Sequence, residues 1–327
     1  MTGESPAIGP ERSAPFDYLR LSVTGRCQLS CAYCRPDKSE AGHELPLGTL
    51  VELCRLLCRA LPIRKIRLTG GEPLLRPDLP ELVSALAGLP LQPEITLTTN
   101  GLLLEQRAKQ LREAGLSRVN VSIPSPDPEI YTQLTGVPAL DRVLRGLAAV
   151  RSAGFERTKI NTVLTSRLDA DQMRELLAVA VDNAALLRFI EVMPLGLPSG
   201  LYDELFVPAS AALALLRRVA HLTAEVPGDS AHSSHPRFAA RLADGRLAIV
   251  EMITPVSRPF CSGCRRLRVT RDGWLLPCLL SPVRLPLVRP DGTLPEPADL
   301  LRPLRMAAEL KGRAGMQVHE GMWAIGG

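Results

Sequence analysis

The chain has 327 residues, of which 46% are hydrophobic and 4% aromatic, and its net charge is +5. This length allows one large barrel-like domain, or a barrel with a smaller unit, and a core built mostly from Leu, Val, Ile and Ala. No stretch of about 20 uncharged apolar residues occurs, which excludes a membrane-spanning helix. The mild positive charge suits an anionic substrate but does not by itself indicate nucleic acid.

The first 15 residues, Met1 to Pro15, contain Pro, Gly and Ser but no apolar core of a signal peptide. We expect a flexible lead-in there and a cytoplasmic protein. Six of the eight cysteines fall in two tight clusters, which is typical of metal ligands in a reducing compartment. The other two, Cys54 and Cys58, are spaced i, i+4 on a predicted helix and are expected in the core.

Between Tyr18 and about residue 195, apolar strand-like runs alternate with helical patterns. This alternation predicts six βα units with a parallel sheet, as in a partial, open (β/α)6 barrel. Sites in such barrels lie at the C-terminal ends of the strands. The predicted strands are Tyr18–Thr24, Lys65–Thr69, Ile95–Thr98, Arg118–Ile123, Lys159–Leu164 and Leu187–Val192, and the predicted helices are Leu50–Ala60, Leu79–Leu86, Leu104–Glu113, Asp141–Ala153 and Asp171–Asp182.

The pattern changes after about residue 195. A loop is predicted over Pro198 to Tyr202 and a helix over Ala209–Val219. Two β-hairpins are then predicted from the Asp-Gly turns at Asp244-Gly245 and Asp272-Gly273. A proline-rich linkage from Pro282 to Pro303 leads to one more helix and a short tail.

Three cysteines, in Cys27-Gln-Leu-Ser-Cys31-Ala-Tyr-Cys34, directly follow the first predicted strand. A [4Fe–4S] cluster normally takes four thiolates, so three leave one iron open to a small molecule. A structural zinc site usually takes four ligands, and no His follows at finger spacing. The spacing resembles that of the radical S-adenosylmethionine (SAM) superfamily, in which SAM chelates the open iron.

A glycine-rich segment, Gly70-Gly71-Glu72-Pro73, stands at the end of the second predicted strand. Glycines allow the backbone to approach a ligand closely because they lack Cβ atoms. Alone this tetrapeptide is equally consistent with a simple turn. In the radical SAM superfamily it binds the methionyl amino group of SAM.

A second cysteine trio is formed by Cys261, Cys264 and Cys278. One interpretation is another [4Fe–4S] cluster with an open iron that can bind a substrate heteroatom. The other is a zinc knot whose fourth ligand is a histidine. The candidates for that ligand are His232, His235 and His319.

Basic residues recur on the predicted strands. Arg266 and Arg268 follow the second trio at a period of two, so both project from one strand face. Paired guanidiniums match an anion with several oxygens, such as a triphosphate. Inward-facing charge is costly if unpaired, which favours an anionic ligand. Four more basic residues lie on four other strands and can converge on it: Arg20, Arg67, Lys159 and Arg188, with Asn161 on the face of Lys159.

From about Tyr18 to Gly327 the chain resembles the GTP 3′,8-cyclases of molybdenum-cofactor biosynthesis, a radical SAM family with two open-site clusters. The matching stretches begin with Tyr-Leu-Arg-Leu-Ser-Val-Thr before Cys27 and end with the terminal Gly-Gly. Between them lie Ile-Arg-Leu-Thr-Gly-Gly-Glu-Pro, Leu-Thr-Thr-Asn-Gly-Leu-Leu-Leu and Arg-Phe-Ile-Glu-Val-Met-Pro.

The resemblance implies two [4Fe–4S] clusters, on the two cysteine trios, and SAM as cofactor. It implies no catalytic side chain, because the adenosyl radical formed from SAM reacts with the substrate. It implies a tail, Gly326-Gly327, that reaches into the active site. The contacts that it implies to SAM are Tyr33, Gly70, Gly71, Glu72, Ser122 and Met193, and those to GTP are Arg20, Arg67, Thr98, Lys159, Arg188, Arg266, Leu267 and Arg268.

The expected protein is therefore α/β, with a flexible segment over residues 1–15 and a radical SAM partial (β/α)6 TIM-like barrel over 16–195. A small α+β module over 196–327 carries the second iron–sulfur cluster, binds substrate and ends in the Gly-Gly tail. One departure from the family pattern is Pro124, which stands where an Asp is usual and removes a carboxylate near SAM.

The function that the resemblance implies is conversion of GTP to 3′,8-cyclo-7,8-dihydro-GTP, the first step of molybdopterin biosynthesis. Its implied partners are a flavodoxin- or ferredoxin-like electron donor and a downstream cyclic pyranopterin monophosphate synthase, with a homodimer as one arrangement and no nucleic acid or membrane. One alternative is another two-cluster radical SAM enzyme, either a peptide maturase or a cyclase of a different nucleotide. The other is a zinc- or cluster-dependent binding module.

Overall fold

The computed structural model describes residues 16–34, 43–195, 197, 199–226 and 235–311. The predicted Gly326-Gly327 tail, His232 and His319 lie outside the described residues. The strands are β1 Tyr18–Ser22, β2 Lys65–Thr69, β3 Glu94–Thr99, β4 Arg118–Ser122, β5 Lys159–Leu164, β6 Leu186–Glu191, β7 His221–Glu225, β8 Arg237–Arg241, β9 Leu247–Ile253, β10 Arg266–Val269, β11 Trp274–Leu276 and β12 Leu285–Pro286, and the α-helices are α1 Leu47–Ala60, α2 Leu79–Ala87, α3 Leu104–Glu113, α4 Pro128–Thr135, α5 Leu140–Ser152, α6 Ala170–Asp182, α7 Ser199–Leu205, α8 Ala209–Val219 and α9 Pro297–Leu310.

The described strands form one sheet in the order β12-β11-β10-β1-β2-β3-β4-β5-β6-β9-β8-β7. β1 to β6 are parallel neighbours in chain order, with helices between them. The six predicted βα units are therefore confirmed. β10 adds to β1 and β9 adds to β6, both in parallel, so the two predicted hairpins extend the sheet at opposite edges.

The sheet separates an apolar face from a polar one. Because side chains alternate along a strand, Leu19 and Leu21 of β1 and Ile66 and Leu68 of β2 share one face and are fully buried. Apolar residues of the helices cover that face, among them Leu50 and Leu53 of α1, Leu82 and Val83 of α2, Leu104 and Leu111 of α3, Val143 and Leu147 of α5 and Leu176 and Leu177 of α6. The predicted core positions Cys54 and Cys58 of α1 are confirmed as buried.

The sheet curves strongly. β10 and β8 are eight strand spacings apart in the sheet order, which would be roughly 38 Å in a flat sheet. Nevertheless, Nη2 of Arg266 in β10 lies 3.3 Å from Nε2 of His235, which precedes β8. The polar face therefore bends around an interior space, and its two ends meet there.

Two predictions about the connections were wrong. The loop predicted over Pro198 to Tyr202 overlaps α7, and the proline-rich linkage ends earlier than expected because α9 begins at Pro297 and contains Pro303. Proline is tolerated at the start of a helix because its missing N–H has no partner there. None of the helices in the described residues combines the length and apolarity needed to cross a bilayer.

Candidate active site

The polar face of the sheet is strongly basic. Strand register places Arg20 of β1 beside Arg268 of β10 and Arg67 of β2, and Asn161 of β5 beside Arg188 of β6. Only two buried or half-buried carboxylates, Glu94 and Glu251, share this face with nine buried or half-buried basic side chains of the described strands. The nine are Arg20, Lys65, Arg67, Arg118, Lys159, Arg188, Arg237, Arg266 and Arg268.

The guanidiniums near β1 lie close enough together to disturb one another. Burial and the neighbouring Arg268 lower the pKa of Arg20 to about 9. Burial likewise lowers the pKa of Arg67 to about 10, and Arg188, on the same face but four strands away in β6, lowers it further. Burial and Arg266 lower the pKa of Arg268 to about 10. Crowding of this kind is relieved by a bound anion.

Tyr18 lies among these cations and was not predicted as a site residue. Its ring centroid is 5.5 Å from Arg67 Cζ, 5.6 Å from Lys65 Nζ and 6.0 Å from Arg266 Cζ. Burial alone would raise the pKa of Tyr18, but Arg67 and Arg20 outweigh it and lower the pKa to about 8. Its spacing of two residues from Arg20 could have identified it.

Asn120 of β4 is a second residue of this face that was not predicted. It is fully buried, and its amide oxygen, in the orientation that satisfies both groups, accepts from Arg67 Nη1 at 3.0 Å and Nη2 at 3.2 Å. The predicted contact Thr98 is a neighbour of Asn120 in the register. The buried oxygens Thr98 Oγ1 and Asn161 Oδ1 have no hydrogen-bond partner among the described residues. A bound ligand is the natural partner for such atoms.

The first cysteine loop, residues 27–34, is held by backbone hydrogen bonds. Ser30 N donates to Thr135 O and Ala32 N donates to Leu134 O, both at 2.9 Å. Both acceptors lie at the end of α4. Asn100, which follows β3, donates from Nδ2 to Gln28 Oε1 at 3.1 Å, and the same atom lies 3.9 Å from Cys27 Sγ. The three thiols are half-buried at the C-terminal end of β1.

The glycines of the Gly70-Gly71 pair are required by packing against the stem of that loop. A Cβ on Gly70 would overlap Thr24 O, and one on Gly71 would overlap Arg26 O and lie 2.7 Å from Gly25 O. Gly71 N donates to Thr24 O at 2.8 Å. The close approach in this structure is thus between two protein segments, whereas the sequence alone suggested an approach to ligand.

The carboxylate of Glu72 joins the segment after β2 to the end of β3. It is fully buried and accepts from Leu74 N at 2.9 Å, Thr99 Oγ1 at 2.7 Å and Asn100 N at 2.7 Å. Burial raises the pKa of Glu72 to about 7 against those donors. The enclosed side chain therefore holds the segment after β2 against the end of β3, and the predicted contact of this residue with SAM stays a prediction.

The remaining predicted SAM residues lie at one edge of the sheet. Tyr33 is in the first cysteine loop and hydrogen-bonds Cys31, Ser122 ends β4, and Met193 follows β6, so all stand at C-terminal ends of parallel strands. Pro124 is buried just beyond β4. The preceding Ile123 N donates to Asn161 O at 2.9 Å, so the proline follows the last ladder bond and interrupts none.

The second cysteine trio lies among cations. Cys261 is exposed, while Cys264 and Cys278 are half-buried. Lys311, at the end of α9, hydrogen-bonds the Cys264 side chain, donates to Pro277 O at 2.9 Å and also donates to Arg266 O. Burial would raise the pKa of Cys264, but Lys311 and Arg266 outweigh it and lower the pKa.

His235 belongs with the arginines. Its Nε2 lies 3.3 Å from Arg266 Nη2, and its ring packs edge-on against Phe260 at a centroid distance of 4.6 Å. Since arginine only donates, Nε2 of His235 accepts and the proton lies on Nδ1. Burial and Arg266 lower the pKa of His235 to about 4, so the ring is neutral.

Two buried carboxylates, Glu191 of β6 and Glu251 of β9, organise the part of the sheet farthest from β10, and neither was predicted. Glu191 ends β6 and accepts from Ala209 N at 2.8 Å, Val256 N at 3.1 Å and Ser257 N at 3.0 Å. It therefore ties the strand that leads to Met193 to the segment before the second trio. Glu251 of β9 binds basic residues of three other strands. Glu191 and Glu251 are each the only acidic residue of their strand.

The donor sets suit iron–sulfur clusters better than single ions. Each trio offers three thiols. Among the described residues, no three His, Cys, Asp or Glu side chains lie close enough together to bind a single metal ion. In a [4Fe–4S] cluster each thiolate binds a different iron, so the ligands stay apart. For the zinc knot, the described candidate His235 binds Arg266.

Comparisons with known proteins agree with these observations. Residues 21–180 match the Radical SAM superfamily model, and residues 185–293 match the model described as Molybdenum Cofactor Synthesis C. The structure is similar to that of Streptococcus suis SuiB bound to S-adenosylmethionine, with a TM-score of 0.62 and 18% identity over 83% of this chain and 63% of that one. The family-model match and this similarity together show the radical SAM α/β fold with its mostly parallel sheet.

Curated relatives are similar over most of their length. A GTP 3′,8-cyclase of Streptomyces coelicolor is 42% identical over 80% of this chain and 77% of its own. A GTP 3′,8-cyclase of Peptoclostridium acidaminophilum is 37% identical over 91% of this chain and 86% of its own. With two cysteine loops at opposite ends of a basic sheet face and relatives at this identity, the chain belongs to the GTP 3′,8-cyclase family of radical SAM enzymes.

Proposed function

We propose that the chain converts GTP to 3′,8-cyclo-7,8-dihydro-GTP. The observation that carries this proposal is the basic face, where the described strands bring together nine cations and only two carboxylates, and where Arg266 adjoins the second cysteine trio. A nucleoside triphosphate is the kind of polyanion that compensates such a surplus. The names of the curated relatives supply the reaction.

As a member of this family the enzyme uses SAM and [4Fe–4S] clusters, which when bound supply a 5′-deoxyadenosyl radical. We infer that Cys27, Cys31 and Cys34 hold one cluster. Hydrogen bonds to carbonyl oxygens of α4 and from the Asn100 side chain fix that loop, which supports this assignment. The proposed SAM contacts are the backbones of Gly70, Gly71 and Glu72 together with Tyr33, Ser122 and Met193.

The second cluster is proposed on Cys261, Cys264 and Cys278. In this proposal the sheet is a partial (β/α)6 barrel of residues 16–195, and residues 196–327 form the module that carries cluster and substrate. The contact between Arg266 and His235 supports the curvature that such a barrel needs. The GTP contacts that we propose are Arg20, Arg67, Thr98, Lys159, Arg188, Arg266, Leu267 and Arg268.

Arginines on β1, β2 and β10 are the proposed anchors of the triphosphate. Arg20, Arg67 and Arg268 are adjacent in the register, so their guanidiniums can bind several phosphate oxygens at once. The proposed task of these residues is to hold the nucleotide in one orientation, because small displacements near a reacting centre cost orders of magnitude in rate. The electron donor, the downstream synthase, a homodimer, a cytoplasmic location and a role for Gly326-Gly327 stay predictions.

The test is anaerobic turnover with SAM, a reductant and each of the four nucleoside triphosphates. GTP deuterated at C3′ should transfer deuterium to 5′-deoxyadenosine, and UTP and CTP should not replace GTP. Transfer from a different nucleotide would favour the alternative cyclase. Cleavage of SAM without transfer from any nucleotide would favour a substrate of another class, such as the peptide of a maturase.

A further inference from the structure

Glu251 occupies the centre of a buried cluster of charges. Its Oε2 lies 2.5 Å from Arg188 Nε and 3.7 Å from Lys159 Nζ, and its Oε1 lies 2.8 Å from Arg237 Nε. The carboxylate is 1% exposed, and the three basic side chains are buried as well. Burial would raise the pKa of Glu251, but these cations outweigh it and lower the pKa to about 2. The carboxylate is therefore ionised and competes with any other anion for its three partners.

The place of this cluster in the fold gives the competition a consequence. Glu251 and Arg188 are register partners in β9 and β6, whereas Arg20 and Arg67 lie on β1 and β2. Because the sheet curves, Arg188 is nevertheless close enough to lower the pKa of both Arg20 and Arg67. An anion that enters the interior space thus meets cations on two sides. Only on the side of β6 and β9 does a carboxylate, that of Glu251, already contact three of these cations.

We propose that Glu251 is a positioning residue that holds Arg188 and Lys159 against β9 and so directs the polyphosphate of the substrate to the arginines of β10, β1 and β2. The proposal rests on the proposed function, because it concerns the same substrate. Arg188 binds Glu251 through Nε, which fixes its position, and its guanidinium has further N–H donors on the two terminal nitrogens. Lys159 and Arg188 then orient the nucleotide without capturing its phosphates.

Glu251→Gln tests this proposal, since it keeps the shape of the side chain and removes its charge. We expect the variant to bind inorganic tripolyphosphate about threefold or more tightly than the wild type, because two cations lose their competing carboxylate. GTP turnover should fall about tenfold or more, in kcat rather than in KM, because the nucleotide settles in the wrong place. A merely structural role would weaken both properties together.

The decisive comparison uses Arg268→Ala in both backgrounds. In the wild type this change should weaken tripolyphosphate binding about 30-fold or more. In the Glu251→Gln background it should cost less than about tenfold, because Arg188 and Lys159 substitute for the lost arginine. The matched control is Glu94→Gln, which removes the other carboxylate of the face. Glu94 binds Lys65 at 2.9 Å and Arg118 at 2.6 Å at the N-terminal ends of the strands, so that variant should keep the wild-type cost of Arg268→Ala.

An equal cost of Arg268→Ala in the wild-type and Glu251→Gln backgrounds overturns the proposal, as does an unchanged affinity of Glu251→Gln for tripolyphosphate. If Glu251→Gln does not fold, Arg188→Gln decides, and we expect it to change tripolyphosphate affinity by less than about threefold. A loss as large as that of Arg268→Ala would overturn the proposal too. Tripolyphosphate binding needs no turnover, so absence of GTP turnover in the wild type would refute the proposed function and leave this measurement valid.

Discussion

The two cysteine loops lie in surroundings of opposite character. Around Cys27, Cys31 and Cys34 the contacts are backbone hydrogen bonds, glycines in close packing and the enclosed Glu72. Around Cys264 they are the cations Lys311 and Arg266. Burial and the other two thiols raise the pKa of Cys31, whereas the pKa of Cys264 is lowered.

This difference indicates two ways of preparing a site. The first loop is positioned by geometry, which suits a ligand such as SAM whose amino and carboxylate groups must meet one open iron. The second is prepared by charge, which suits a polyanion whose oxygens can bind several guanidiniums in more than one arrangement. Substitutions that change shape should therefore harm the first region more, and substitutions that change charge should harm the second more.

The largest expected effect comes from removing thiols. Cys31→Ser and Cys264→Ser should each lose about four of about eight irons per anaerobically reconstituted chain. SAM cleavage should vanish in Cys31→Ser and persist, uncoupled from GTP, in Cys264→Ser, because SAM is assigned to the first loop. Iron analysis and 5′-deoxyadenosine assays measure both. Stoichiometric zinc at the second trio would refute the second cluster.

Next in size is the loss of a guanidinium beside the second loop. Arg266→Ala or Arg268→Ala should weaken GTP binding by about 2–5 kcal/mol, because a buried charge-assisted contact is lost. SAM binding should remain, and titration calorimetry with each ligand separates the two. Arg241 of β8 provides the control, because it lies on the same basic face of the sheet but is exposed. Arg241→Ala should change GTP affinity by less than about 0.5 kcal/mol. If all three variants bind GTP equally, the basic face does not hold the phosphates.

A change of shape provides the converse test. Gly71→Ala adds a Cβ that would overlap Arg26 O, so the stem of the first loop must move and SAM cleavage should fall about 100-fold. Gly263→Ala, in the second loop, meets no described atom within 4 Å and should retain most cluster and GTP binding. Gly48→Ala in α1, which also has open space, controls for the added methyl group. Equal losses in Gly71→Ala and Gly263→Ala would contradict the distinction between the loops.

Much of the fold could be predicted from the sequence because its signals are local. The bounds of β2, β5, α3 and α8 agree with the predictions, since each is a periodic run with clear ends. The missed α4 has only eight residues, although Asp127 caps it and Pro128 opens it. This matters for the site, because the end of α4 holds the first cysteine loop.

The predicted site residues were those that stand in motifs or alternate along one strand. Glu251 and Glu191 were missed because their importance depends on partners brought close only by folding. Glu251 binds Arg188, 63 residues earlier, and Glu191 binds Ser257, 66 residues later. No local pattern marks such pairs, beyond a single acid in an apolar strand.

The smallest expected effect is the pH dependence of stability, where the buried carboxylates Glu72 and Glu251 should differ in sign. The fold lowers the pKa of Glu251 from 4.5 to about 2, so its stabilisation is complete above about pH 4.5 and is lost only as the pH falls through 2. Glu251→Gln should therefore lower the free energy of unfolding by about 3 kcal/mol, equally at pH 5 and pH 8.

The fold raises the pKa of Glu72 from 4.5 to about 7. Protonation of Glu72 therefore stabilises the native state fully below about pH 4.5, and this stabilisation is lost as the pH rises through 7. Relative to the wild type, Glu72→Gln should therefore gain up to about 1.4 kcal/mol per pH unit between about pH 5 and 7 and then level off. Urea unfolding of the reconstituted wild type and both variants at pH 5, 6, 7 and 8 measures these differences. A constant difference for Glu72→Gln would place an ionised carboxylate beside the first loop, and the two regions would then share an electrostatic character that the structure assigns to the second alone.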